Sequence, residues 1–250
     1  MILALVSGYL GDRIGRRPCM LIGSFLFTVA AVINGVSESF LMLVIGRGVL
    51  GLGIGIILMI SPVYIAECSP VEYRGPLVTL CTAMMAWGRC VASVVDGAFS
   101  YDKTGWRYML GVTGIPSSIQ FIAFLFLPET PRWLVRSGKE ELAASILHKV
   151  RGRDDILDDI KQIKEACQME VKLNEMQGKE ITIAKVLRTP SVRRALIVGV
   201  STSLFQQLSG INTVMYYSGT IIQMSGVRDE SMAIWLTAVT AFVSCLFTMA

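Results

Sequence analysis

Three side-chain amides, Gln206, Gln207 and Asn212, flank Gly210 within a stretch that carries no charge. An amide both donates and accepts, which is what a polyol hydroxyl needs from a binding floor, although amides in membrane helices also hold helices to one another. Tyr216 and Tyr217 follow about one helical turn later. Two guanidinium groups, Arg47 and Arg89, sit alone in apolar surroundings. At membrane depth each costs ~2.5–3.5 kcal/mol on insertion scales, so each must face a wet cavity or a partner, or snorkel outward. A fourth feature is the turn Gly8-Tyr9-Leu10-Gly11-Asp12-Arg13-Ile14-Gly15-Arg16-Arg17. Cations favour a helix C-terminus and glycine lets the chain reverse, so Asp12 with Arg13, Arg16 and Arg17 can form a breakable latch. A plain basic turn would account for the arginines but for neither Asp12 nor the glycines.

No nucleophile–base pair and no glycine-rich phosphate cradle accompanies these residues. The six cysteines (19, 68, 81, 90, 167, 245) have no metal-ligand spacing and read as reduced thiols. His148 stands alone on the polar side of an amphipathic segment. The expectation is a non-enzyme with no cofactor and no metal.

The elements that position these groups are membrane helices. Of 250 residues, 53% are hydrophobic and 17% charged, against about a quarter charged in soluble chains, and mean hydropathy is +0.58. Charge-free runs occupy 18–37, 48–66, 108–128, 195–227 and 231–250, and 75–99 is interrupted only by Arg89 and Asp96. Helices are expected near 1–10 (the tail of a longer one), 19–36, 40–66, 76–99, 108–127, 195–222 and 232–250. The 195–227 run has 33 residues and as one helix would reach ~50 Å, beyond a ~30 Å core, so a break near Gly210 is expected. Glycines at 46, 48, 51, 53 and 55, with Gly51 and Gly55 four apart, predict close helix approach along 40–66. The organisation is a partial N-terminal bundle (1–127), a helical linker (128–194) and the start of a C-terminal bundle (195–250). With an apolar run at each end, the chain reads as an internal fragment or truncated product.

Lys and Arg fix the orientation. Eighteen lie in the turns 11–18 and 67–75 and the stretch 128–194, and three in the opposite loops. The basic side is therefore expected in the cytoplasm, and the net charge of +4 reflects topology rather than nucleic-acid binding. Within 128–194, Pro131 suits a helix start and Gly138 a stop. Leu142, Ile146 and Val150, then Ile156, Ile160, Ile163, Cys167 and Val171, form apolar stripes that predict docking on the bundle's cytoplasmic mouth or lying at lipid headgroups.

The GYLGDRIGRRP turn resembles the loop signature of the major facilitator superfamily. Tyr64-Ile65-Ala66-Glu67 through Glu72-Tyr73-Arg74-Gly75, then Pro128-Glu129-Thr130-Pro131-Arg132 and Gln206-Gln207-Leu208-Ser209-Gly210-Ile211-Asn212, resemble its sugar-porter family. ASVVDGAFS (92–100), GWRYMLG (105–111), RRALIVG (193–199) and QMSGV (223–227) look most like its proton-coupled myo-inositol cotransporters. The resemblance implies an all-α integral membrane protein, a partial major-facilitator bundle with about seven of roughly twelve helices, the first incomplete, and a midplane substrate site. It further implies a cytoplasmic charge network of Asp12, Arg13, Arg16, Arg17, Glu67, Arg74, Glu129 and Arg132. Arg47 would serve proton coupling, and Tyr216 and Tyr217 an outer gate. Two contact positions depart from the family pattern: Arg89 stands where glutamine is usual, and Ser244 where many relatives carry asparagine. The expected activity is proton symport of a neutral polyol, myo-inositol foremost, across the plasma membrane by alternating access, with the isolated chain inactive. Facilitated hexose uniport and a non-transporting sugar sensor are the alternatives.

Overall fold

The computed structural model describes residues 2–102, 104–151, 160–161, 163–169, 190–226 and 230–249. Side chains are not described at 2–6, 71–72, 150–151, 190–192, 195, 211–212, 215, 230–231 and 249. All elements among these residues are helices: α1 (Ile2–Ile14), α2 (Arg16–Gly35), α3 (Phe40–Cys68), α4 (Val71–Phe99), α5 (Gly105–Val112), α6 (Gly114–Phe126), α7 (Pro131–Arg136), α8 (Glu140–Arg151), α9 (Pro190–Leu208), α10 (Ile211–Met224) and α11 (Glu230–Met249). Residues 163–169 are helical as well. The fold is thus an all-α, multi-pass membrane bundle.

Local sequence explains most boundaries. Ser39 caps α3 by accepting a 3.3 Å hydrogen bond from the Met42 amide, which satisfies one orphan donor of the first turn. The expected helix over 108–127 is divided into α5 and α6 at Thr113. Pro116 lacks the N–H that would bond the Val112 carbonyl, so the helix cannot run through unchanged. The expected break near Gly210 is present: α9 stops at Leu208, Gly210 takes φ +71°, and α10 starts at Ile211. Pro131 opens α7, and Gly138 follows its end at φ +77°.

Four spans among the described residues are long and apolar enough to cross a membrane: Arg16–Gly35, Phe40–Cys68, Tyr73–Phe99 and Gly105–Phe126. Splitting 195–222 at Gly210 leaves neither piece long enough alone, and Leu196–Leu208 and Met232–Thr248 are shorter apolar helices.

The core lies between α2 and α3, where Cys19, Met20, Ile56, Ile60 and Tyr64 are buried together. Close approach is made by Gly46 and Gly53, two turns apart, and not by Gly51, which meets nothing. A methyl on Gly53 would stand 2.9 Å from the Gly23 carbonyl of α2, so only a bare backbone permits this crossing. The α8 face also differs from the expected stripe. Ala143 and Leu147 are buried and Ile146 packs on Leu134 and Val135 of α7, while Leu142 is 55% exposed. The small Ala143 lets α8 lie close to α7, so among the described residues the buried face is rotated toward Ala143 and Leu147. Ile156 and Val171 of the second stripe lie outside the described residues; Ile163 joins the α7–α8 cluster. The two parts of the membrane bundle meet along α4 and α11.

Candidate functional site

At one end of the bundle Arg16 is the hub of an ionic cluster. Its residue is 8% exposed, and its Nη2 lies 2.8 Å from Asp12 and 3.0 Å from Glu67 Oε1. Its Nη1 donates to the Gly11 carbonyl at 2.9 Å. Two carboxylates and a carbonyl therefore answer a nearly buried guanidinium, as burial requires. The last turn of α1 supplies Asp12, four residues before Arg16, and α3 delivers Glu67 at its last turn.

Glu129, more than a hundred residues away in sequence, completes the cluster from the segment between α6 and α7. Its carboxylate accepts from the Arg16 amide at 3.0 Å, from the Arg17 amide at 3.1 and 3.2 Å, and from the Thr130 amide at 3.0 Å. A full negative charge thus sits on the N-terminus of α2, where backbone N–H groups have no intrahelical partner. Arg17 Nη2 donates to the Leu125 carbonyl at 2.6 Å, tying α2 to the end of α6. Gly15 is the joint that allows this. It takes φ +111° and ψ 160°, a region open essentially to glycine alone, and an added Cβ would stand 2.5 Å from Glu129 Oε2. Gly15→Ala is therefore expected to cost about 2–3 kcal/mol in thermal unfolding of the detergent-solubilised chain. Combined with Glu129→Ala it should fall short of additivity only by the steric part, the clash with Oε2, since the backbone strain at φ +111° remains; full additivity would dissociate Gly15 from this carboxylate.

Three participants escaped the sequence reading. Trp133 Nε1 donates to the Asp12 carbonyl at 3.2 Å, Tyr64 Oη donates to the Pro128 carbonyl at 2.8 Å, and Arg136 Nη1 lies 3.8 Å from Asp12 Oδ1. Tyr64 and Trp133 sit inside or beside the motifs, but neither residue type signals that its polar edge closes the far side of a turn. Of the other expected members, Arg13 lies over the Tyr9 ring at 5.2 Å, while Arg74 and Arg132 are exposed.

The α4–α11 contact brings the two departing positions together. Arg89 and Ser244 line one narrow crevice with Ala86, Ala241 and Cys245. Below them Ala86, Cys90 and Cys245 form a small buried cluster. Farther along, the Trp235 ring of α11 lies on Gly97 of α4 and Trp235 Nε1 donates to Tyr101 Oη at 3.2 Å, a clasp with no sequence motif behind it.

Gln206, Gln207 and Tyr217 are exposed and Tyr216 is 85% exposed; the Asn212 side chain lies outside the described set. At the break, Ser209 Oγ donates to the Gln206 carbonyl at 2.7 Å. Arg47 is exposed on a face of α3 turned away from Gly46 and Gly53. No group of three or more metal-ligating side chains occurs among the described residues.

A family model described as "Sugar (and other) transporter" matches residues 1–250. Similar proteins include a "Proton myo-inositol cotransporter" of Homo sapiens, 49% identical over 249 residues that make up 99% of this chain and 38% of that protein. A "Probable inositol transporter 2" of Arabidopsis thaliana is 41% identical, over 95% of this chain and 41% of that one. The chain thus spans about two fifths of the length of these relatives. Among solved structures, the xylose transporter XylE from E. coli in a partially occluded inward open conformation aligns with TM-score 0.80 at 26% identity, covering 99% of this chain and 57% of that chain. The proton:xylose symporter XylE bound to 6-bromo-6-deoxy-D-glucose aligns with TM-score 0.82 at 28% identity, covering 99% and 55%.

Proposed function

The chain belongs to the sugar transporter family, within the major facilitator superfamily, and from that premise we propose that it forms part of a proton-coupled carrier of myo-inositol or a similar neutral polyol. It is not an enzyme. The support for the substrate is the likeness to proton myo-inositol cotransporters along essentially the whole chain. What carries a transport role on physical grounds is the Arg16 cluster. Four separate elements are joined there by ion pairs and charge-assisted hydrogen bonds.

In this reading the Asp12–Arg16–Arg17–Glu67–Glu129 contacts, with Arg13, Arg74 and Arg132 around them, hold the cytoplasmic side shut. The substrate lies near Gln206, Gln207, Asn212, Arg89 and Ser244, with Tyr216 and Tyr217 on its outer side. Arg47 carries the proton linkage, residues 128–194 are cytoplasmic, and the carrier works at the plasma membrane. One feature favours a second reading as a sugar sensor: the fixed charge of Arg89 in the crevice between α4 and α11 can hold one state.

The test is a chimera in which this chain replaces the matching 249 residues of the human cotransporter. Myo-inositol uptake in cells is expected to rise at least fivefold above untransfected cells and to collapse when the proton gradient is dissipated. Uptake indifferent to the gradient would eliminate symport. Ligand binding without uptake, in a chimera that reaches the surface, would favour the sensor.

A further inference from the structure

At the end of the bundle opposite the Arg16 cluster, a cavity of about 590 Å³ opens between α2 and α5. It is lined by Gly35, Val36, Glu38, Thr104, Arg107, Tyr108, Gly111, Val112 and Ile115. It lies away from the α4–α11 crevice and no part of the transport reading uses it. Its wall is graded. Glu38 and Thr104, outside the helices, and Arg107 and Tyr108 in the first turn of α5 make a polar rim, while Val36 after the end of α2, Val112 and Ile115 supply an apolar wall, with Val36 and Ile115 left exposed.

The two rim charges are opposite in sign, yet no ion pair forms between them among the described residues. Arg107 is held against the Trp106 ring at 5.3 Å, and its Nε is buried with no hydrogen-bond partner. With Nε closed off, the terminal Nη groups are what Arg107 can offer to a ligand in the cavity. Gly35 and Gly111 keep the two helices in contact at the floor, where a Cβ on Gly35 would stand 3.1 Å from Gly111 Cα. The cavity therefore ends on backbone and opens toward the rim.

We propose that this cavity is a site for a zwitterionic phospholipid, the phosphate on Arg107, the ammonium on Glu38, and one acyl chain along Val36, Val112 and Ile115. Among the described lining residues, one cation and one anion match a headgroup carrying one of each. An anionic phospholipid would leave Glu38 facing its phosphate unanswered, and a free phosphate would leave the apolar wall uncovered. The flanking Trp106, Tyr101 and Tyr108 are exposed at the same end, where aromatic rings settle at the headgroup level.

The test titrates the purified chain in detergent with short-chain phosphatidylcholine, phosphatidylglycerol, phosphocholine and inorganic phosphate, reading the thermal midpoint. Phosphatidylcholine is expected to raise the midpoint saturably. Arg107→Gln and Glu38→Gln should each weaken its half-saturation at least fivefold, and Arg107→Lys should retain most of it. Ile115→Trp, which fills the apolar part, should abolish the response without touching either charge. Glu38→Gln should leave the phosphatidylglycerol response unchanged or stronger. The proposal is overturned if all variants respond like the parent, or if phosphocholine or phosphate saturates at the same concentration as the lipid. An unchanged lipid-free midpoint in the variants separates loss of the site from loss of the fold.

Discussion

Glu129→Ala is expected to destabilise the chain by about 2–4 kcal/mol in detergent, the largest loss from any one side chain of the ionic cluster. Three backbone N–H groups give their hydrogen bonds to this carboxylate, two of them at the start of α2, where no intrahelical acceptor exists. Hydrogen bonds to a charged group contribute about 1.5–3 kcal/mol each, and loss of a helix cap costs about 1–2 kcal/mol. These contributions overlap, and water reaches the half-buried site in the variant, so their sum is an upper bound. Glu129→Gln keeps one acceptor and the packing but loses the charge at the helix terminus, so it should fall about midway. Amide exchange gives the local signature. Protection at Arg16 and Arg17 should be lost in the alanine variant before that of residues in the middle of α2. Equal exchange at those amides in variant and parent would mean Glu129 does not cap α2 in solution.

Glu129 also marks where sequence stops being informative. The helices were legible because lipid demands runs without charge, and the loops because charges collect between them. That the 195–227 run must break or outreach the bilayer follows from its length, and Gly210 with the polar residues around it marks the place, where glycine takes the φ +71° that ends one helix. Pairing across the chain was not legible in the same way. Nothing in Arg16 says that its amide will meet a carboxylate 113 residues later, because that depends on the order in which helices pack. The same limit explains Gly51 against Gly53: five glycines on one helix announce closeness, but only the path of α2 selects which of them are covered. For α8 the periodicity was read from the larger residues, whereas burial followed the small Ala143 that lets α7 come near. Trp235 on Gly97 belongs to this class too, joining helices of different halves with no local signal.

Arg89→Gln is expected to raise myo-inositol uptake by the chimera at least tenfold. Arg89 lines the α4–α11 crevice beside Ser244 and two alanines, and no carboxylate shares that lining. A guanidinium donates but cannot accept, so a substrate hydroxyl meeting it loses one of the two bonds that an amide would offer. It also carries a charge that a neutral polyol does not neutralise, on a membrane helix where an arginine costs ~2.5–3.5 kcal/mol. A tenfold rise corresponds to about 1.4 kcal/mol, roughly half of that cost, which leaves room for hydration of the crevice. Ser244→Asn alone should have a smaller effect, because it adds an amide while the charge remains. The double variant should exceed either single one, the two side chains sharing one crevice and therefore one ligand-facing surface. Arg89→Lys is the control that separates charge from shape: it should stay as slow as the parent. A fall in uptake on Arg89→Gln would reverse the assignment, making the guanidinium a group that the substrate or a partner helix requires.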